Sequence, residues 1–244
     1  MQAHARVAAE PDGHGGTRLA VLHGESPLLP RRTGPTTIHL VGGAAGPLRG
    51  DHLRLEISVA PGATLEIRSV AAQLALPGRA HLPPSRFEIH ATVAENARLR
   101  WLPEPLIAAA GCDHVTITTV DVARGGHLLW RDDLVCGRHN EDPGDVRTET
   151  TIRYAAKTLY RHDLTVGPSA PAWYGPAILG GTRAIGTLVT TAPLPPGPLT
   201  GEAAVMPLAG PGFLATAVGT DIRQVRAALD PLCAARAASA TLAA

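Results

Sequence analysis

Aromatic side chains are scarce in this sequence. Its 244 residues include three tryptophans, three tyrosines and two phenylalanines, too few and too scattered for the stacking platform of a carbohydrate-binding surface. Lysine is nearly absent, and Lys157 stands alone among arginines. With 22 basic and 21 acidic residues the net charge is +1, and no run of like charge forms the basic stripe that nucleic acid requires. The cysteines Cys112, Cys136 and Cys233 are odd in number and far apart, which excludes a disulfide framework and a Cys-x-x-Cys clamp. No apolar run approaches the ~18 residues of a membrane span. The N-terminal region carries Glu10 and Asp12 and does not read as a signal peptide. These absences lead to the expectation of a cytoplasmic protein that binds neither nucleic acid nor membrane.

Catalytic signatures are missing too. Lys157 lies in Tyr154-Ala155-Ala156-Lys157-Thr158, without the glycines of a phosphate loop. Neither a Gly-x-Ser-x-Gly elbow nor a His-Glu-x-x-His helix occurs. Gly210-Pro211-Gly212 runs into a strand-like segment and reads as a turn. None of the 11 histidines has a second at metal-ligand spacing.

What the chain does have is glycine and proline, 26 and 22 residues, cutting a 45% apolar sequence into short runs. Strands are expected at 17–22, 36–41, 52–60, 64–70, 86–94, 98–102 and 114–120. More are expected at 127–131, 146–152, 158–164, 186–191, 200–206 and 212–218. Turn residues such as Ala60-Pro61-Gly62-Ala63 and Arg124-Gly125-Gly126 separate them, so the pattern predicts an all-β sandwich, barrel or solenoid. Alternation is clearest where Leu53, Leu55, Ile57 and Val59 face one way and Arg54, Glu56 and Ser58 the other. The Pro61-Gly62 turn, if it closes a hairpin, makes Glu56 and Glu66 cross-strand neighbours. One firm helix is expected at the C-terminus, capped by Thr220, with Ile222, Val225, Leu229 and Leu232 on one face and Pro231 as a kink. Pro103–Gly111 has room for a helical turn or two. Residues 1–16 read as a loose tail before a single domain of 17–244, and Pro193–Pro198 as a loop.

The carboxylates are the remaining candidates for chemistry. Asp51, Glu56, Glu66 and the group Asp132, Asp133, Glu141, Asp142 and Asp145 suit a hard or borderline divalent ion in transit, because oxygen ligands do not trap it as thiolates would. The alternatives are solvated surface charge and a hydrolase pair among Asp132, Asp133 and Glu141.

Several segments resemble a known family. Pro47-Leu48-Arg49-Gly50-Asp51-His52-Leu53, followed by Val59-Ala60-Pro61-Gly62-Ala63, is similar to a conserved opening of the UreD (UreH) urease accessory proteins. Leu99-Arg100-Trp101-Leu102-Pro103-Glu104-Pro105-Leu106-Ile107 resembles their central segment. Trp130 with Asp132 and Asp133, then Cys136-Gly137-Arg138 and Glu141, resembles the next, and Phe213–Gly219 with the following helix the last. Departures are a stretched Gly42–Asp51 loop, no basic residues in Ser69–Gly78, and Glu141 about two positions early. The resemblance implies a mainly β framework of stacked sheets, β-helix-like, with a C-terminal helix and few others. It implies a non-catalytic nickel-insertion chaperone in metallocentre assembly. Its partners would be the urease apoprotein and UreF, and through UreF the GTPase UreG. No cofactor would be tightly bound, and nickel would pass transiently through the interior. On that basis Asp51, Glu56, Glu66 and Glu141 are expected to line the passage, and Trp101, Pro103, Glu104 and Arg138 to meet partners. A scaffold that conducts no metal is the competing expectation.

Overall fold

The computed structural model describes residues 1–194 and 200–241, with side chains of the terminal helix as far as Cys233. The expected loop Pro193–Pro198 lies largely outside the described residues. The chain begins with β1 (Gln2–Pro11), β2 (Thr17–Gly24), β3 (Leu28–Arg32) and β4 (Thr37–Gly42). It then coils. β5 (His52–Val59), β6 (Thr64–Ser69) and β7 (Gln73–Ala75) make one coil, and β8 (Ser85–Val93), β9 (Arg98–Leu102) and β10 (Leu106–Ala108) the next. β11 (Asp113–Val122) and β12 (His127–Cys136) follow, then the hairpin of β13 (Asp145–Tyr154) and β14 (Lys157–Val166). β15 (Ala184–Thr190), β16 (Glu202–Pro207), β17 (Phe213–Gly219) and α1 (Ile222–Thr241) complete the fold.

Two sheets result, ordered β14-β13-β11-β8-β5-β1-β2 and β16-β17-β15-β12-β9-β6-β4-β3, with β10 bridging β12 and β7. Their central pairings are parallel. Each coil therefore lays one strand in each wall, as in a β-solenoid, and side chains stack rung on rung. Val7, Ile57, Ala91, Val120 and Ile152 form one such inward ladder, and all are at most 2% exposed. The alternation seen in the sequence explains this, since every second residue of β5 is buried.

Every expected strand falls on an observed one; β1, β3, β7 and β10 were not anticipated. The loose tail is a correction. β1 lies between β5, its parallel partner, and β2, its antiparallel one, and Ala3, Ala5, Val7 and Ala9 are buried. Alanine carries little strand preference, so an Ala-rich strand hides in a sequence. The Pro61-Gly62 turn is a second correction: it is a corner between walls, not a hairpin, because β5 and β6 belong to different sheets. Glu56 and Glu66 are accordingly not neighbours. Pro103–Gly111 holds β10 rather than a helical turn.

α1 packs against β12, β15 and β17, with Val225, Leu229 and Leu232 buried as expected. Its cap is Asp221, not Thr220: the carboxylate accepts from the N–H groups of Arg223 at 2.8 Å and Gln224 at 3.2 Å. Pro231 sits inside the helix, where its ring leaves one carbonyl without a helical donor.

Val7→Asp should abolish soluble folded protein, because an unpaired charge in the ladder costs several kcal/mol. Glu10→Ala, which removes only the exposed pairing with Arg18, should stay within about 0.5 kcal/mol of the wild type. Urea titration of both checks this; an undisturbed Val7→Asp would return residues 1–16 to a tail.

Candidate functional site

The second sheet is broken at one level. β9 pairs with β12 only up to Trp101 opposite Trp130, and β10 resumes with Leu106 opposite Leu134. Pro103 and Pro105 cause the gap, since neither has an N–H to give to a ladder. β7 follows β6 with the same interruption, whereas β12 runs through, paired on its other edge with β15. Arg131, Asp132 and Asp133 thus pass the break without strand partners on that side.

A cavity of about 80 Å³ lies at this level between the walls, space for about two or three waters at roughly 30 Å³ each. Its lining sets polar groups among apolar walls that include Phe87, Ile89, Leu134 and Leu164. From the first sheet come Thr116, Thr148, Thr150 and His162, and from the second Asp132 and Thr187. Thr118, 2% exposed, is in register with Thr150 and stacks on it. The layer divides the apolar interior in two. On one side lie Ile57, Val59, Leu128 and Trp130, on the other Leu134, Cys136, Val146 and Leu164. A second cavity, about 390 Å³, reaches toward β3 and β4. Gln73, Phe87, Trp101, Pro103 and Glu104 line both cavities, which therefore adjoin across one wall.

Asp132 is the charge of the layer. Its two oxygens accept from the indole N–H of Trp101 at 3.1 Å and of Trp130 at 2.7 Å. The two indoles stack with centroids 4.8 Å apart. Burial pushes its carboxyl up to about 6, against the lowering effect of the two indole donors. Facing it across the cavity, His162 is held below the ordinary imidazole range by burial. His114, held by Ser85 at 2.9 Å and Thr116 at 3.0 Å, is pushed down to about 4 by burial, so neutral imidazole backs the layer. Asp133 leaves the strand on the other face, where Arg131 meets both of its oxygens at 3.1 Å. That opposition leaves Asp132 and Asp133 without the shared site a carboxylate pair needs.

The carboxylates expected to line a passage are dispersed, which corrects that expectation. Asp51 is buried but accepts from the Leu48 N–H at 2.9 Å and the Met1 amino group at 2.8 Å, holding the turn before β5. Glu56 lies on the outer face of β5 with Arg54 at 2.9 Å. Glu66 lies on the outer face of β6; burial raises its carboxyl, and Arg68 and Arg100 more than reverse this, leaving it below the ordinary range. Glu141 is gripped by Arg138 through bonds of 2.7 and 2.6 Å, which bring its carboxyl down to about 2. Gly137, at φ 84°, makes that turn possible. Arg138 is thus engaged within the chain, and Trp101, 2% exposed, stands in the cavity wall. Pro103 and Glu104 share that wall. Among the described residues, no three His, Cys, Asp or Glu side chains converge as a metal site.

The threonine layer had a sequence signal. Thr116-Ile117-Thr118-Thr119-Val120 and Thr148-Glu149-Thr150-Thr151-Ile152 repeat the same pattern and align residue for residue. A polar residue at every second position of two strands that otherwise bury that face marks a wet interior.

Fold and site together define a class: a coiled β framework whose apolar interior is interrupted by one carboxylate-bearing layer, with a helix clamped to one wall. A model of the family described as "UreD urease accessory protein" matches residues 1–244. The chain is 45% identical over 241 residues to a Streptomyces coelicolor protein named "Urease accessory protein UreD", covering 94% of each. It is 43% identical to "Urease accessory protein UreD 3" of Streptomyces griseus, covering 94% of this chain and 95% of that one. A Parafrankia protein named "Urease accessory protein UreD" is 38% identical, with 95% and 88% covered. The chain belongs to the UreD family of urease accessory proteins. Among the described residues, no helix is long and apolar enough to cross a membrane.

Because Asp132 is easier to protonate in the fold than in the unfolded chain, its protonated form adds stability that is complete below about pH 4 and is lost as pH rises through about 6. The melting temperature of the wild type minus that of Asp132→Asn should therefore fall between pH 4 and pH 7. Scanning calorimetry measures it, and a difference flat across that range would contradict the assignment.

Proposed function

We propose that this protein is a nickel-insertion chaperone for urease. In this reading it binds the urease apoprotein and UreF in the cytoplasm and passes nickel released by UreG through its interior. The chain itself catalyses no reaction. The observation that supports the reading is the polar layer at Asp132, an uncommon thing to bury in a β core. Polar groups cost stability there unless satisfied, and threonine hydroxyls with one indole-held carboxylate give a hydrated cation a weak succession of oxygens. Oxygen donors without thiolates or convergent imidazoles let a borderline ion move on. The route runs through Asp132 and the threonines rather than Glu56, Glu66 and Glu141, whose charge arginines already neutralise.

Asp132→Asn and Thr118→Phe should lower urease activation several-fold in a reconstituted accessory complex, with assembly unchanged by gel filtration. Glu56→Gln should leave activation unaltered. Full activation by both interior variants would favour a scaffold that conducts no metal.

A further inference from the structure

Glu104 occupies an unusual position. It stands between the two prolines that break the second sheet, and its backbone N–H donates to Ser69 Oγ at 2.8 Å, which fixes the loop. Among the described residues it is the one carboxylate in the walls of both cavities. Its side chain is nevertheless 40% exposed, so it touches solvent as well as the interior. Beside it the corner after β6 is open, with Val70 63% exposed. The partner of Glu104 is Arg226 of α1, itself 37% exposed.

We infer that Glu104 is a lateral portal through which a hydrated divalent cation exchanges with the interior, and that the Arg226 guanidinium is the counter-cation that closes it. The inference rests on the passage reading above. An ion pair this exposed contributes little to stability and is readily exchanged. A dication brings twice the charge of the guanidinium and takes carboxylate oxygen as a ligand while keeping several waters. Removing the guanidinium leaves an unopposed carboxylate at the opening, and charge of one sign at a mouth raises the local concentration of its counter-ion.

The helix does not depend on this pair. Arg131 reaches Asp230, Arg100 donates to the Cys233 carbonyl at 3.2 Å, and Val225 and Leu229 are fully buried. Opening is therefore a swing of one side chain, with α1 still in place. Whatever binds the exposed face of α1 can draw Arg226 away and so couple docking to ion exchange.

The test is stopped-flow quenching of Trp101 and Trp130 fluorescence by nickel chloride, in the full chain carrying Trp173→Phe. Arg226→Gln should speed quenching by about tenfold, and Glu104→Gln should slow it several-fold. The double variant should be as slow as Glu104→Gln alone, and Arg226→Lys should keep the parental rate, which guards against a folding defect. Asp132→Asn in the same background serves as the reference. If it lowers the quenching amplitude while the Glu104 and Arg226 variants keep the parental rate, the passage stands and the portal is overturned. If Asp132→Asn leaves the amplitude unchanged, nickel does not reach the layer, and the passage and portal readings both fall.

Discussion

Parallel register is the constraint on which everything else here depends. In a coiled stack each inward residue sits directly on its counterpart in the neighbouring strand, so each level of the interior is chemically uniform or pays for the mismatch. Ile57 on Ala91 on Val120 on Ile152 gives a dry level, whereas the levels of Leu53 and Phe87 and of Leu55 and Ile89 turn polar where they reach β11 and β13. There Thr116 stacks on Thr148 and Thr118 on Thr150, a polar patch at the end of two otherwise apolar levels. A polar residue at a single rung would be an isolated burial. Repeated across rungs and facing Asp132 and Thr187, it becomes a polar layer with room for water between the two apolar cores.

The layer coincides with the break in the opposite wall. Two prolines stop the ladder where β12 carries Asp132, and the stacked indoles on the same face hold that carboxylate toward the space the break leaves. Neither feature makes a route alone. A sealed polar layer is a pocket of buried water, and a gap over an apolar core is a crevice. Together they join interior and surface in a member of the urease accessory family. α1 lies over the outer side of this region, and the Arg131 cluster buried beneath it anchors the helix, since an unpaired arginine there would be strongly unfavourable.

Much of this architecture was legible in the sequence. Short alternating runs between turn residues marked every strand but β1, β3, β7 and β10, and the stripe Val225, Leu229 and Leu232 marked the helix and its buried face. The resemblance in Trp101-Leu102-Pro103-Glu104 marked the family and the right segment. Its location was not legible. A Pro-Gly corner serves a hairpin and a coil equally, so Glu56 and Glu66 looked adjacent when they lie on opposite walls. Ala3, Ala5 and Ala9 gave β1 no β-branched signal beyond Val7. Asp132 was hidden for a different reason. The run Arg131-Asp132-Asp133 reads as surface charge unless it is known that α1 covers one face of β12 and the other sheet covers the opposite face.

The central claim is that the threonine layer around Asp132 admits a divalent ion and the apolar levels do not. Methyl-detected NMR with manganese as a paramagnetic probe tests it most directly. The methyl signals of Thr118 and Thr150 should broaden at manganese concentrations that leave Val7 and Val59 sharp, and Asp132→Asn should remove that difference. Broadening confined to exposed methyls, with the threonine layer as sharp as the core, would contradict the account.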